Sequence, residues 1–177
     1  ATGGNPNSTV RAAIAGLPVS YAIIGGQAER FAPLAELYRR AVEQVKAPGA
    51  DVRISVASPG FVGKDAQAAK DLWWNHYHEA FRALGEIRGF PAPQRPGYDR
   101  DANGGGALFV GSPEEIAERI VALHGAMGHD RHFFQMDLGQ LPQKDFLKAI
   151  ELLGTRVKPL VDAALAEGMI AACLPHL

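Results

Sequence analysis

The residues whose types and spacing suggest chemistry lie in the first nine positions. The sequence opens Ala-Thr-Gly-Gly-Asn-Pro-Asn-Ser-Thr, in which Gly3 and Gly4 lack a Cβ and Ser8 and Thr9 carry hydroxyl groups. Apolar periodicity predicts a helix over residues 8–15, directly after the two glycines. Backbone amides at a helix N-terminus, beside glycines that permit close approach, commonly bind phosphate and other anions. The stretch therefore predicts an anion-binding loop.

The same stretch also has a purely structural explanation. Asn5 or Ser8 would cap the N-terminus of the following helix, and such polar caps often follow a pair of glycines. The spacing matches neither the Walker motif nor the dinucleotide-binding fingerprint. From the residues alone, phosphate binding and simple helix capping both stay open.

Two later glycine segments have weaker functional signals. Gly25 and Gly26 end an apolar strand predicted at 18–24, at the edge where α/β proteins place ligands, although a tight strand-to-helix turn explains them equally well. Gly111 and Ser112 precede a proline and two glutamates, which indicates a capped helix start with Ser112 as the N-cap residue.

The histidines and the single cysteine do not form a metal-binding pattern. His76 and His78 are two residues apart and so point to different sides of a helix. Three more lie near one helix end and the next strand: His124, His129 and His132. No cysteine pair or carboxylate pair accompanies them, so we predict no metal site. Cys173 has no internal disulfide partner and no basic neighbour, which favours a cytoplasmic protein and argues against a nucleophile.

Length and composition limit the class of protein. The 177 residues are 47% hydrophobic, enough for one domain with a real core. Lysine and arginine number 18 against 19 acidic residues, and the formal charge of -1 argues against nucleic acid or an anionic membrane as partner. No apolar run reaches the roughly 20 residues that a membrane span needs. A small-molecule ligand is the remaining expectation.

Strands and long helices alternate along the chain. Strands are predicted at 18–24, 51–57 and 131–138, with a loop at 58–63 and a short extended piece at 107–110. Amphipathic helices are predicted at 27–46, 65–84, 113–127, 143–153 and 155–166. The strand at 18–24 is apolar throughout and is expected to be buried on both faces. Residues 85–106 contain three prolines and a triple glycine and are expected to form a mobile excursion without regular structure.

This alternation indicates an α/β fold with a parallel sheet, either doubly wound or part of a (β/α)8 barrel. A complete barrel needs about 250 residues. Three strands and the end of a fourth would make half of one and leave two edges and one face of the sheet open. Residues 1–177 are thus expected to form a single partial domain with a tail at 168–177. Because the sequence begins with Ala1 directly on the glycine loop, we expect further sequence upstream.

Several segments in order resemble the C-terminal half of the bacterial luciferase-like, flavin-dependent monooxygenase family. They are Ala-Thr-Gly-Gly-Asn-Pro-Asn-Ser-Thr at 1–9, Gly-Leu-Pro-Val at 16–19, Ala-Ile-Ile-Gly-Gly at 22–26, Phe-Ala-Pro-Leu at 31–34, Tyr-Arg-Arg-Ala at 38–41, Gly-Ser-Pro-Glu-Glu at 111–115 and Glu-Leu-Leu-Gly-Thr-Arg-Val-Lys-Pro at 151–159. The resemblance spans residues 1–162. It implies a (β/α)8 barrel in which this chain begins at the end of the fifth strand and contributes the sixth, seventh and eighth.

The resemblance also implies a cofactor site. In that family the loop after the fifth strand holds the phosphate of reduced FMN, and the matching positions are Gly4, Asn5 and Ser8, with Gly3 and Thr9 as neighbours and Thr2 beside them. Asn5 replaces a hydroxyl residue often found at its position. The segment 85–106 falls where the family has a variable, mobile insertion. The catalytic residues are expected upstream of this chain.

The implied activity is oxygenation of a small organic substrate with O2, using reduced FMN from a separate flavin reductase. A deazaflavin coenzyme used for hydride transfer is one alternative. A non-catalytic half barrel that binds a phosphorylated ligand, or pairs with another chain, is a second. An open half barrel is expected to associate with the upstream half or with a second copy of the chain as a homo-oligomer. The inner face is expected to carry these residues: Ala22, Ile24, Ile54, Val56 and Phe134.

Overall fold

The computed structural model describes residues 1–45 and 52–173. Within these residues the strands are β1 (Val19–Ala22), β2 (Ile54–Val62), β3 (Phe109–Gly111) and β4 (Arg131–Gln135). The α-helices are α1 (Pro6–Ile14), α2 (Ala32–Val45), α3 (Ala66–Arg88), α4 (Arg95–Ala102), α5 (Pro113–Met127), α6 (Gln143–Leu152) and α7 (Lys158–Cys173). A 3₁₀ turn, Ala28–Phe31, precedes α2. The predicted helix break at 48–49 and the start of the predicted strand at 51 lie outside the described residues.

Every pairing between these strands is parallel, and β2 is the central strand. β1 pairs with the first half of β2, from Val19 opposite Ile54 to Ala22 opposite Ala57. β4 pairs with residues 55–59 of β2, and β3 pairs with residues 60–62. Thr2 adds the end of one more parallel segment beside β1, with its amide donating to the Ser20 carbonyl at 2.8 Å. The predicted α/β class with parallel strands is confirmed.

β2 is longer than the sequence predicts, because residues 58–62 continue the strand instead of forming a loop. Pro59, which has no amide proton, lies where the pairing of β2 changes from β4 to β3. Gly60 follows, and a Cβ there would come within 2.5 Å of the Phe134 ring and 2.7 Å of the Phe109 carbonyl oxygen. The proline and glycine that predicted a loop therefore mark a change of partner within a strand.

The two faces of the sheet are in different environments. Tyr21, Ile54 and Val56 point into the helix layer and are at most 1% exposed. On the other face Ile24 and Phe133 are 60% and 50% exposed. The prediction that the strand at 18–24 is buried on both faces is therefore wrong, because helices cover one side of the sheet only.

The assignment of residues to the inner face also needs correction. Ala22 and Ile24 do lie on the open face. Ile54, Val56 and Phe134 lie on the same face of the sheet as Tyr21, which is the helix-covered face. In the described residues the sheet is open and does not close into a barrel. The half-barrel description stays a proposal.

Residues 63–108, between β2 and β3, are called the inserted region, and they build a second apolar cluster around Trp73, which has no exposed surface. Tyr77 and Tyr98 pack against its ring at centroid distances of 5.4 and 6.4 Å. Tyr98 belongs to α4, a helix that the sequence did not predict inside 85–106. Pro96 is compatible with a helix at its first turn, so the prolines here do not exclude helix. The mobility of 85–106 stays a prediction.

The C-terminal helices are continuous, in contrast to the two separate helices of the prediction. A π-helical turn, Leu153–Val157, joins α6 to α7 without a loop. The predicted tail at 168–177 begins inside α7, which extends to Cys173.

Candidate functional site

The first loop lies at the carboxyl edge of the sheet, as expected for a ligand-binding loop. Both backbone groups of Thr2 are hydrogen-bonded to β1. Its amide donates to the Ser20 carbonyl, and its carbonyl accepts from the Ala22 amide at 2.9 Å. The chain leaves the sheet immediately after Thr2 and enters α1 at Pro6. Gly3 to Asn5 therefore form the short connection between a strand end and a helix N-terminus.

Asn5 is the N-cap residue of α1. Its side-chain Oδ1 accepts from the Asn7 amide at 2.8 Å. The structural explanation of this residue thus holds, and it accounts for the asparagine at a position where the family that the sequence resembles often has a hydroxyl. An anion at the helix start would share the site with this cap or displace it.

Thr9 lies apart from the rest of the loop. It has no exposed surface, and its Oγ1 lies 3.3 Å from the Tyr21 hydroxyl. Tyr21 in turn donates to the Leu34 carbonyl at 2.8 Å, and burial raises the pKa of this tyrosine. The Thr9 amide donates to the Asn5 carbonyl at 3.2 Å. Thr9 therefore anchors α1 to the core, and its part in ligand binding stays a prediction.

The remaining donors of the loop are free to bind an anion. Within the described residues, the amides of Gly3, Gly4, Asn5 and Ser8 have no hydrogen-bond partner. Ser8 is exposed, and the first turn of α1 carries no acidic residue. Unpaired amides beside a positive helix end form a suitable environment for a phosphate.

Gly4 is required by the backbone of the loop. Its φ of +92° lies in the region that favours glycine, and a Cβ would approach the Phe31 ring at 3.3 Å. Gly3 differs, because a Cβ there would have no atom within 4 Å. The space beside Gly3 is therefore open, and the positive φ of Gly4 determines the direction of the loop backbone.

The loop after β1 is held against a later segment of the chain. Gln27, after Gly25 and Gly26, forms an antiparallel bridge with Gly106, and the Ala28 amide donates to the Gly105 carbonyl at 3.0 Å. This contact joins the loop after β1 to the inserted region.

The Ser112 segment behaves as predicted. Ser112 Oγ accepts from the Glu115 amide at 3.3 Å as the N-cap of α5. The segment is a capped helix start.

The open face carries a shallow cavity of about 220 Å³ near the carboxyl ends of β1 and β4 and the middle of β2. Its lining is mostly apolar: Ala22, Ile24, Ala57, Ser58, Pro59, Phe133, Phe134 and Gln135. None of these side chains is charged. The cavity and the first loop lie at the same edge of the sheet.

The sequence interpretation missed a buried lysine, Lys70, with two more exposed polar partners under the inserted region. Lys70 is 7% exposed and donates to Asn103 Oδ1 at 2.9 Å, with Glu115 Oε2 at 3.2 Å. These residues line a cavity of about 340 Å³. Nothing in the local pattern distinguishes Lys70 from a solvent-exposed lysine on a helix.

Arg119 holds the same region to α5. Its guanidinium donates to the carbonyls of Ala102, Gly106 and Leu108 at 2.9, 2.6 and 2.9 Å. It also lies over the Phe109 ring, 4.6 Å from the centroid. Burial lowers the pKa of Arg119 below its usual value. These contacts hold the backbone of residues 102–108 in place although the segment contains three consecutive glycines.

No group of three or more His, Cys, Asp or Glu side chains within residues 1–45 and 52–173 is arranged to hold a metal ion. In the same ranges, no helix is long and apolar enough to cross a membrane.

Comparison by sequence gives no match to a protein-family model and none to a curated protein. Comparison by structure does. The monooxygenase RslO1 from Streptomyces bottropensis matches with a TM-score of 0.75 and 23% identity over 89% of this chain and 46% of its own.

Two further solved structures show the same similarity. The oxygenating constituent of 3,6-diketocamphane monooxygenase from Pseudomonas putida, in complex with FMN, has a TM-score of 0.62 and 18% identity over 87% of this chain and 45% of its own. The coenzyme F420 dependent tetrahydromethanopterin reductase from Methanopyrus kandleri has a TM-score of 0.56 and 16% identity over 88% and 48%. This chain thus spans about half the length of each, and its fold is similar to the matching part of these enzymes.

Proposed function

We propose that this chain is the phosphate-binding half of a luciferase-like, flavin-dependent monooxygenase that acts on a small organic substrate. The observation that carries the proposal is the first loop: free amides at a helix N-terminus, at the carboxyl edge of a sheet with this fold. The amides of Gly3, Gly4, Asn5 and Ser8, with the Ser8 hydroxyl, would hold the phosphate of FMN.

The residues present fit a phosphate group. A Cβ is absent at Gly3 and Gly4, and no carboxylate lies in the first turn of α1. Reduced flavin, when bound, supplies the reactivity toward O2 that protein side chains lack. The chain itself would bind and orient the cofactor through its phosphate.

The cavity on the open face supplies the second part of the proposal. Its lining contains Ile24 and Phe133 and no charged side chain. This half of the active site would therefore contact an apolar part of the substrate and exclude water from it. The catalytic residues would come from another part of the complete site.

A deazaflavin-dependent hydride transfer is the second candidate. The observation that favours it is the fold similarity to a coenzyme F420 dependent reductase. Both coenzymes carry a phosphate, so the first loop serves either one. Titration of the complete protein with FMN and with a deazaflavin coenzyme, followed by absorbance, separates the two.

The open face also determines the partners that we propose. A sheet with an uncovered face and unpaired edges is stabilised by further strands, supplied by an upstream half or by a second copy of the chain. Reduced FMN would be delivered by a separate flavin reductase.

The phosphate site is tested by measuring the affinity of the complete protein for FMN and inorganic phosphate by calorimetry. Ser8→Asp places a negative charge where the anion would bind, and an acidic residue in the first helical turn is favourable for folding. We therefore expect a stable variant with binding weakened about tenfold or more. Unchanged affinity in Ser8→Asp would refute the site.

Gly4→Val tests the loop backbone, since valine does not tolerate a φ of +92°. Gly89→Val is the matched control, because Gly89 also has a positive φ, +77°, but lies at the C-terminus of α3. Loss of FMN binding in Gly4→Val alone supports the proposal. An equal loss in both variants would indicate general unfolding.

A further inference from the structure

The cavity on the open face lies where the central strand changes its partner. β2 pairs with β4 as far as Pro59, which is opposite Gln135, and from Gly60 onward it pairs with β3. β4 ends at Gln135, so the pairing between β2 and β4 stops at the carboxyl end of β4. Pro59 and Gln135 both line the cavity. Ligands of open α/β sheets bind in crevices of this kind, outside the carboxyl ends of strands whose neighbours change.

One side chain in the lining has a free hydrogen-bonding group, and it belongs to Gln135. The other polar lining residue is Ser58, which is 2% exposed and whose Oγ lies 2.6 Å from His132 Nε2. Gln135 is exposed, and its carboxamide has no hydrogen-bond partner within residues 1–45 and 52–173. The Gln135 side chain is therefore accessible from the cavity, whereas the Ser58 hydroxyl is already bonded in the core.

The neighbours of Gln135 cannot satisfy its carboxamide. The preceding residue on the same face of β4 is Phe133, and the residue opposite on β2 is Pro59. Neither side chain has a hydrogen-bonding group, and Pro59 has no amide proton. Ile24, which also lines the cavity, is apolar as well. The Gln135 amide is therefore available to water or to a molecule in the cavity.

The rest of the lining limits the kind of molecule. None of its side chains is charged, so an ion would find no counter-charge in the cavity. Apolar side chains from three strands and the loop after β1 surround the carboxamide: Ala22, Ile24, Ala57, Pro59 and Phe133. Small-molecule sites commonly combine such an apolar wall with a few polar groups that orient the ligand. A neutral, mainly apolar molecule with one oxygen atom therefore matches this lining.

We propose that Gln135 is a specificity-determining residue of the substrate site and that the substrate is a small ketone or alcohol. The oxygen of the substrate accepts a hydrogen bond from Gln135 Nε2, and its hydrocarbon part lies against Ile24 and Phe133. This inference rests on the proposed function, since it assigns the substrate of that reaction to the open-face cavity. It does not involve the phosphate-binding loop, so the two can fail separately.

The first test is a titration of the complete protein with cyclohexanone, followed by the NMR signals of the phenylalanine rings. We expect saturable shifts at Phe133, which lines the cavity. The ring of Phe90 is the control, because it is 38% exposed but does not line this cavity, and its signals should stay in place. Absence of a saturable shift at Phe133 would overturn the proposal.

The second test measures the affinities of variants for cyclohexanone and for methylenecyclohexane, which has nearly the same shape but no oxygen. Gln135→Met removes the donor and should weaken cyclohexanone binding about tenfold while leaving methylenecyclohexane unaffected. Gln143→Met is the matched control, since Gln143 is an exposed glutamine at the start of α6. An equal effect of Gln135→Met on both molecules would overturn the proposal. If Gln135→Met does not fold, Gln135→Glu removes the donor at nearly the same shape and should show the same selective loss.

FMN affinity, measured in the same samples, separates this inference from the proposed function. A wild-type protein that does not bind FMN would refute the flavin site, whatever happens at Gln135. A wild-type protein that binds FMN, in which Gln135→Met causes no selective loss of cyclohexanone, would refute the role of Gln135 alone.

Discussion

The two faces of the sheet are built by the same strands but have opposite environments. On the helix-covered face Tyr21, Ile23 and Val56 have no exposed surface, whereas on the open face Ile24 and Phe133 are 60% and 50% exposed. Side chains alternate along a strand, so the neighbours Ile23 and Ile24 fall on opposite sides. The difference shows that alternation decides which residues share a face, but only a packed layer buries that face.

The largest contrast is expected between Ile23→Ala and Ile24→Ala. Ile23→Ala removes a side chain from a closed core and should lower the free energy of unfolding by about 2 to 5 kcal/mol. Ile24→Ala should change it by about 0.5 kcal/mol or less at concentrations where the chain is monomeric. Urea unfolding of the two variants measures both values. Similar losses would mean that the open face is already covered in solution.

The next effect concerns Arg119 of α5, which binds backbone carbonyls of the inserted region. Arg119→Met should cost about 2 to 3 kcal/mol, because three backbone carbonyls lose a charged donor. Hydrogen exchange at the Ala28 amide should become faster, since its acceptor Gly105 belongs to the released loop. Arg100→Met is the control, because the Arg100 side chain is 73% exposed. Equal exchange in the two variants would contradict the assigned role.

The covered face should also be sensitive to acid. The pKa of His129 is lowered to about 4, so the unfolded chain binds the proton more tightly than the folded one. Its contribution to stability is therefore present above the unfolded value near 6.5 and is lost as the pH falls toward 4. His129→Gln should reduce the stability loss between pH 7 and pH 5 by about 2 kcal/mol. The free energy of unfolding is measured at pH 7 and pH 5 for the wild type, for His129→Gln and for the control His78→Gln. A stability loss in His129→Gln as large as in the wild type would contradict the prediction.

The smallest effect on stability is expected on the open face. The double variant Ile24→Ser, Phe133→Ser should change the free energy of unfolding by about 0.5 kcal/mol or less, because neither side chain is enclosed. We expect the 177-residue chain to self-associate when no upstream half is present, and the double variant should weaken this self-association. Light scattering at micromolar concentration measures this. A wild-type chain that is a stable monomer and binds no hydrophobic dye would contradict the proposed pairing of the open face.

Local patterns determined much of the covered side. Helix α5 begins at Pro113 and ends at Met127 as predicted, since the cap at Ser112 and the glycine at its C-terminus act within one turn. The position of the first loop, between a strand end and a helix, also followed from the sequence alone. Such signals are short in range, so they depend little on the rest of the fold.

Tertiary structure decided the features that depend on distant partners. Pro59 and Gly60 predict a loop until β4 and β3 are placed on either part of β2. Thr9 resembles a loop hydroxyl until Tyr21 is brought beside it. Lys70 meets Glu115 across 45 residues of sequence, and His132 meets Ser58 across 74. The sequence determines which residues alternate and where helices start, but it contains no local signal for contacts between residues so far apart, because those depend on how the layers pack.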